Sequence, residues 1–385
     1  MTMHDDPVYQ SLVDIVGHDY ASNRPEELFI YSVDSGTEGP RKVDYVVLPK
    51  TVEQVQKVVM LANQYKVPIT PMGANLTLNG LGIPVNGGIV LDMKRMDRIL
   101  ELNRQRKYVV VEAGVTQGKL GSYLEKDCPE LEHSRPEAPP MATVVGNIVI
   151  RGHGYLSLRY DNNAHHINGM EVVLPTGEIC NIGAGCVSPW PFCKGPLPDL
   201  TGLFCGWNGT TGVITKLSLK LFPKRRILDV VGYAVRDVEL VPEVLCQIAQ
   251  TDMVDNLFVV GFASASHESQ KHVTASITGD LDEEIEYKKA VLKKIAAGYE
   301  EARVRFDYPV WAPLKSRFVE KPPYVTPALA ADFEKGGGFR YCGAILPVDK
   351  IPEAWRKGME IAHRLGINFS AGIQILGYCH SAMFG

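Results

Sequence analysis

Hydrophobic positions fall into an ordered pattern from Asp44 onward. Tyr45-Val46-Val47-Leu48 is a short apolar run that predicts a strand. Val52, Val55, Val58, Val59 and Ala62 then recur at helical spacing, with Thr51 at the start and Gln54 three residues on. That is the capping-box arrangement, and it predicts a helix ending at Lys66. Val67 to Thr70 predicts a second strand, which runs straight into PMGANLTLNGLGIPVNGG, residues 71–88, with five glycines and two prolines. Strands follow at 89–93 and 108–114, and a helix at about 116–126. Residues 1–42 show no clear period.

A second stretch of bare backbone, residues 138–160, is rich in Gly, Pro and Asn and poor in charge. Residues 169–183 predict a hairpin with Thr176-Gly177 at the turn, and residues 213–222 alternate apolar and polar positions like a half-buried strand. The texture changes after Pro223-Lys224-Arg225-Arg226. Strands at 230–235, 257–263, 273–279, 338–346 and 367–378 then alternate with helices at 237–250, 282–300 and 350–365, with a proline-rich excursion at 309–327. The pattern divides the chain into residues 1–227 and a second α+β domain, residues 228–385. No internal repeat is present.

Composition narrows the class. The 385 residues are 45% hydrophobic and 22% charged, enough for a large core and long enough for two domains. A net charge of −4 argues against a nucleic-acid partner. No run of 18 uncharged apolar residues suits a membrane span, and the N-terminus lacks the basic and apolar regions of a secretory signal. Eight irregularly spaced cysteines read as reduced thiols in a cytoplasmic protein.

Bare amides at a turn cradle anions, so a phosphate is the first ligand to consider for residues 71–88. The stretch has neither the Gly-Lys-Ser/Thr of a Walker A loop nor the glycine spacing of a Rossmann fingerprint. By itself it reads equally well as a structural turn. The second stretch, VVGNIVIRGHGYLSLRY, alters the balance, because two such loops separated by strands can wrap an extended dinucleotide.

The ordered set DYVVLPKTVEQVQKVV, PITPMGANLTLNGLG, GGIVLDMKRMDRI, VEAGVT, VVGNIVIRGHGY, GMEVVLPTGE and GTTGVITK resembles the FAD-binding domain of the vanillyl-alcohol oxidase and p-cresol methylhydroxylase flavoprotein superfamily. The resemblance runs from about Asp44 to Lys224. It implies an α+β protein: a FAD-binding domain of two α/β subdomains, then a cap domain that shapes the substrate pocket. It also implies that Pro71, Met72, Gly73, Ala74, Asn75, Leu76, Thr77 and Leu78 hold the FAD pyrophosphate, though Asn75-Leu76 departs from the family's usual glycine run. The loop has no histidine for a covalent flavin link. Pro136, Thr143, Gly146, Asn147, Gly152 and Gly154 are implied to lie along the cofactor, with Gly212, Val213 and Ile214 on its adenine or ribitol side.

Two branches of the superfamily compete. Pro136-Glu137 and Tyr155 are similar to a Pro-acid pair and a tyrosine of the alkylphenol and aromatic-alcohol branch, whereas residues 156–177 and 87–99 resemble the glycolate and lactate dehydrogenase branch. The implied activity is hydride transfer from a small CH–OH or benzylic substrate to flavin N5: a para-substituted phenol, an aromatic alcohol or a 2-hydroxy acid. Glu137 is the implied acid near N5, against its plain reading as a solvated loop glutamate. Tyr155 lines the pocket, and Arg151 binds substrate carboxylate or neutralises a phosphate. His153, His165 and His166 read as pocket or surface histidines, and no metal site is expected. Cys180, Cys186, Cys193 and Cys205 contain no CxxC and read as buried thiols, with Trp190, Phe192 and Trp207 as core or pocket wall. Relatives continue beyond the equivalent of Gly385, so the cap reads as incomplete, through truncation or because a partner completes it. The alternative to an oxidase or dehydrogenase is a shortened FAD-bearing electron-transfer subunit of a dehydrogenase complex. Its implied electron acceptor is an iron–sulfur, cytochrome or electron-transfer flavoprotein partner, and the chain is expected to be a homo- or hetero-oligomer.

Overall fold

The computed structural model describes residues 6–36, 38–136, 138–264, 267–268, 270–306 and 343–385. The helix predicted after Thr51 spans Val52–Tyr65, with the Thr51 hydroxyl accepting from the Gln54 amide at 3.3 Å and Lys66 closing it in the left-handed region. Its buried face is Val55, Val58, Val59 and Ala62, as the periodicity required. It connects strands Tyr45–Val47 and Ile69–Met72, which lie parallel on either side of Ile89–Asp92. The glycine-rich stretch 71–88 is the connection that returns the chain to that central strand.

The N-terminal stretch without evident period folds as helix Pro7–Val16. Asp6 caps it through two backbone amides and Pro7 occupies the first turn, while Val8, Leu12 and Val16 face the core. Its apolar spacing is a single i, i+4, i+8 row, too narrow to stand out among the flanking charges.

A five-stranded antiparallel sheet follows in the order Ile99–Asn103, Tyr108–Glu112, Val213–Lys220, Ile167–Val173 and Ile179–Gly183. The hairpin turn forms as its residues dictate, with Leu174 N donating to Glu178 O at 2.8 Å and Gly177 at φ 92°. Val213–Lys220, the sheet's central strand, is buried on both faces rather than one, Thr215 and Ser218 being as buried as Leu217, and the Ser218 hydroxyl donates to Pro191 O on the excursion that covers that side. Thr215 is accommodated by donating to the Glu171 carboxylate at 2.7 Å.

From Ile227 the chain builds a larger sheet of antiparallel pairs, in the order Val304–Phe306, Ile227–Val235, Lys271–Gly279, Asn256–Ser264, Phe369–Leu376, Ser381–Phe384 and Ala344–Leu346. Helices Val241–Gln250, Asp282–Ala296 and Ile351–Leu365 accompany it. The single strand expected at 367–378 is shorter, and Ser381–Phe384 pairs back on it through a turn at 377–380. The core of this sheet reaches into the earlier part of the chain: Leu158, on helix Ser157–Tyr160, is buried within it. Among the described residues, no helix is long and apolar enough to cross a membrane.

Candidate functional site

Three glycine-bearing segments converge. In the first, the backbone turns left-handed at Asn75 (φ 55°) and Leu78 (φ 64°). Asparagine tolerates that region better than leucine does. Asp34 fastens the turn, its carboxylate accepting from Gly36 N and Gly80 N at 2.8 Å each. The Asn75 amide nitrogen donates to Val33 O at 2.8 Å, while Asn75 Oδ1 and Thr77 Oγ1 are buried without a hydrogen-bond partner. Buried polar atoms of this kind are uncommon and call for a ligand. Met72 turns away into a small core with Val43, Val46 and Val90.

The second segment begins at Thr143, whose hydroxyl accepts from Gly146 N at 3.2 Å and caps helix Val144–Val149. Thr143 also abuts the first loop: a β-carbon on Gly73 would lie 2.4 Å from Thr143 Oγ1, and one on Gly146 would lie 2.5 Å from it. Beyond the helix, Asn147 accepts from Gly152 N through its carbonyl (2.8 Å) and from Asn163 Nδ2 through its side chain (2.7 Å). Asn163 Oδ1 is a third buried acceptor without a donor.

The third segment closes from the other side. Gly206 N donates to Val149 O at 2.6 Å, and a β-carbon on Gly209 (φ 79°) would stand 3.2 Å from Pro71 Cγ. Gly212 packs against Val172 and Val173 where the central strand begins. Val213 and Ile214 send their side chains into the main core. Of the residues singled out in the sequence, Pro71, Gly73, Thr143 and Gly146 are thus brought into one place, and Asn147 and Gly152 into an adjoining one. Arg151 is exposed, at φ 55°, near Gly206.

Gly154 and Tyr155 lead to a second, half-buried cluster. A β-carbon on Gly154 would be 2.3 Å from Ser134 Oγ, so the two strands of chain lie in direct contact. Tyr155 N donates to Arg135 O at 3.1 Å, and its hydroxyl is hydrogen-bonded to the Glu132 carboxylate. The Arg135 guanidinium reaches the same hydroxyl and lies 5.7 Å from the ring centroid. Burial pushes the Glu132 carboxyl up, against the pull of Tyr155 and Arg135, and burial also pushes the Tyr155 phenol well above its ordinary value. Asp255, from the second sheet's side, adds to the rise at Glu132.

Histidines that burial holds neutral lie on the same segments of chain. His133 Nε2 bonds Gln117 Oε1 at 2.8 Å, and burial lowers it to about 3. His153 and His166 are each lowered to about 4, burial being the main cause. His166 Nε2 faces Tyr160 O at 2.9 Å, and His165 is exposed. Glu132, His133 and Arg135 were not anticipated. The available signal was the ionisable run Glu132-His133-Ser134-Arg135 beside Pro136. Pro136 is buried, and Glu137 lies outside the described residues.

Two expectations change. Trp190, Phe192 and Trp207 are not core: they are 48%, 47% and 56% exposed, on the excursion between strands Ile179–Gly183 and Val213–Lys220, with Arg106 stacked on Trp190. Cys186 is exposed and Cys180 and Cys193 are half-buried, leaving Cys205 as the buried thiol of that group. The excursion is too rich in Gly and Pro to fold back over its own aromatics.

The cradle fits an extended dinucleotide: bare glycine backbone lies on three sides, the unpaired Thr77 hydroxyl can donate to a phosphate oxygen, and Asn75 Oδ1 and Asn163 Oδ1 can accept from sugar hydroxyls or base N–H groups. Residues 43–183 match the FAD binding domain family. The chain is 32% identical over 185 residues to D-lactate dehydrogenase of Anaerostipes hadrus, covering 48% of this chain and 38% of that protein. It is 33% identical over 225 residues to the 4-cresol dehydrogenase [hydroxylating] flavoprotein subunit of Pseudomonas putida, covering 56% and 42%. The chain thus spans less than half the length of these relatives. Its fold superposes on 4-ethylphenol oxidase from Gulosibacter chungangensis with a TM-score of 0.83 at 19% identity, over 98% of this chain and 81% of that one. Residues 43–183 thus carry a FAD-binding domain, and the chain shares its fold with 4-ethylphenol oxidase and p-cresol methylhydroxylase.

Proposed function

We propose that the chain is a FAD-dependent oxidoreductase that takes a hydride from a small CH–OH or benzylic substrate. FAD supplies the hydride acceptor at N5. Pro71 to Leu78, Pro136, Thr143, Gly146, Asn147, Gly152, Gly154 and Gly212 to Ile214 hold it, chiefly through backbone amides. Residues 1–227 form the FAD-binding domain and 228–385 the substrate cap.

The observation that carries the reading is the half-buried Glu132–Tyr155–Arg135 cluster beside the glycine cradle. A hydroxyl held between a carboxyl and a guanidinium suits a phenolate, alkoxide or carboxylate. Arg135 supplies fixed positive charge in a half-buried site, where it counts for more than at the open surface. Tyr155 orients the substrate oxygen, and Glu132, its acidity weakened by burial, exchanges a proton with that hydroxyl. Glu137 is the proposed acid nearest the reacting carbon, and Arg151 the second cation. The relatives' names support two substrate classes, 2-hydroxy acids and para-alkylphenols.

A visible spectrum of the purified chain comes first, followed by anaerobic addition of 4-alkylphenols, aromatic alcohols and 2-hydroxy acids. Bleaching of the flavin bands by one class supports the reading and names the class. A flavin-loaded protein that none of them bleaches overturns it.

The exposed aromatics Trp190, Phe192 and Trp207 favour a second reading, a flavin subunit that hands electrons to an iron–sulfur, cytochrome or flavoprotein partner. Its test is whether a partner of that kind co-purifies and is reduced through this chain.

A further inference from the structure

The first glycine loop does not hold its shape unaided. Its chain is left-handed at Asn75 and again at Leu78, φ 55° and 64°, and a leucine keeps that conformation only where its surroundings enforce it. The enforcement comes from Val33, Asp34 and Gly36, which precede the stretch matching the FAD binding domain family, residues 43–183.

Asp34 divides its carboxylate between the two segments. Oδ1 accepts from Gly36 N at 2.8 Å, within its own turn, and Oδ2 accepts from Gly80 N at 2.8 Å, 46 residues on. Beside it, Val33 O accepts from Asn75 Nδ2 at 2.8 Å. Gly36 completes the contact. A β-carbon there would lie 2.6 Å from Leu78 O and 2.8 Å from Asp34 Oδ1, so the two backbones lie against each other. Both left-handed residues are thus gripped by the same short segment. Between them stands Thr77, whose Oγ1 is buried without a hydrogen-bond partner, as is Asn75 Oδ1. The grip fixes the part of the loop that has hydrogen bonds to spare for a ligand.

We propose that Asp34 is a positioning residue for the cofactor: by bridging Gly36 and Gly80 it holds the left-handed loop in the shape that takes a pyrophosphate, before one arrives. The role rests on residues 71–78 taking the FAD pyrophosphate, as proposed above, and is independent of the substrate. A ligand that meets a preformed loop spends no binding energy on ordering it. The carboxylate does not act by attraction, because its charge repels phosphate. Its contribution is the pair of bonds. Asparagine has a single acceptor oxygen, so in Asp34→Asn one of the two amides faces an NH2 group instead. Loss of the charge alone would tighten an anionic ligand, whereas loss of the bridge loosens it. The sign of the change separates the two.

The test is calorimetric titration of the full-chain apoprotein with FAD and, separately, with ADP, which carries the pyrophosphate without the flavin. Asp34→Asn should weaken both by the same factor, about tenfold or more, the scale of a hydrogen bond to a charged group. Far-ultraviolet circular dichroism should not change. Gly36→Ala wedges the two segments apart with the carboxylate intact; it should weaken both ligands likewise, and it carries the test should Asp34→Asn not fold. In a Leu78→Gly background the left-handed turn needs no enforcement, so the effect of Asp34→Asn should shrink to about twofold or less. Parent protein that binds FAD but has no affinity for ADP overturns the pyrophosphate role of the loop, and this proposal with it. Parent protein that binds both leaves that role standing; the proposal is then overturned if the Asp34→Asn or Gly36→Ala protein binds them unchanged or more tightly, if FAD alone is weakened, or if the loss is equal with and without Leu78→Gly.

Discussion

Gly73 and Thr143 come from different glycine segments, yet a β-carbon on Gly73 would stand 2.4 Å from Thr143 Oγ1. A methyl group there forces the hydroxyl to rotate. Rotation releases the bond from Gly146 N and uncaps helix Val144–Val149, at about 1 kcal/mol. The two loops also move apart at the place where the cofactor is held. Gly73→Ala is therefore expected to weaken FAD binding by about tenfold or more, a change of about 1.4 kcal/mol, with little change in far-ultraviolet circular dichroism. Fluorescence titration of the apoprotein with FAD checks it. Unchanged affinity would mean that the loop contact is packing alone.

Tyr155 and Glu132 should separate from the cofactor site by their kinetics. Tyr155→Phe removes the hydroxyl between Glu132 and Arg135 and leaves a half-buried carboxyl without its donor. FAD content should be retained, while the rate of flavin reduction by the best substrate falls by about a hundredfold, the scale of one positioned proton-transfer group. Glu132→Gln keeps a hydrogen-bond acceptor for Tyr155 but cannot exchange the proton. It should show a smaller loss and a flatter pH profile. Stopped-flow absorbance under anaerobic conditions measures both, and equal, pH-independent losses in the two variants would point to a purely structural role.

These residues show what the sequence could and could not reveal. Helix Val52–Tyr65 was legible to within a residue, because its cap, its buried stripe and its end are all local signals. So was the hairpin at Thr176-Gly177. Strand Ile99–Asn103 was not, since its irregular register and half-exposed pattern leave no clean alternation. The site was half legible. Glycines announced that the backbone must lie bare, but not that Gly209 would meet Pro71, or that Thr143 would be the point of contact for Gly73. Glu132 and Arg135 look like ordinary charged residues in the chain. They become a site because Leu131–Glu132 pairs with Phe222–Pro223 and carries Glu132 under Tyr155. That pairing joins distant segments of chain, and no local pattern encodes it.

Acid should destabilise the protein in a defined window. His133 is lowered to about 3, and His153 and His166 to about 4, from 6.5 in the unfolded chain. Between 6.5 and 4 the unfolded state binds protons that the folded state refuses, so stability falls as pH drops through that window. The slope is on the order of 1 kcal/mol per pH unit for each histidine. Glu132 works the other way, because its folded value is raised: the folded state holds its proton longer, and stability falls as pH rises through the gap. Urea denaturation at intervals from pH 7.5 to 4.5 should therefore show a net loss on acidification. His133→Gln should reduce that slope by about one proton's worth. An unchanged slope would place the acid sensitivity elsewhere.

The second domain offers the sharpest test of packing. Trp355 is fully buried, edge-on to Phe369 at 5.0 Å, and Lys271 Nζ lies 5.1 Å from its ring centroid. The indole fits only because residue 261 lacks a side chain: a β-carbon there would be 2.4 Å from Trp355 Cη2. The indole is pressed from helix Ile351–Leu365 onto the sheet and is fully buried, so the strain of Gly261→Ala is not relieved by a swing into solvent. It should cost about 1–3 kcal/mol, the usual range for overpacking. Trp355→Ala should cost more, about 3–5 kcal/mol, and it also strips the aromatic face from a buried lysine. The double variant is the informative one. If the clash is with the indole, Gly261→Ala should be nearly free of cost in the Trp355→Ala background, giving a coupling of more than about 1 kcal/mol in a double-mutant cycle. Additive losses in denaturant midpoints would show that Gly261 is required by its backbone and not by Trp355.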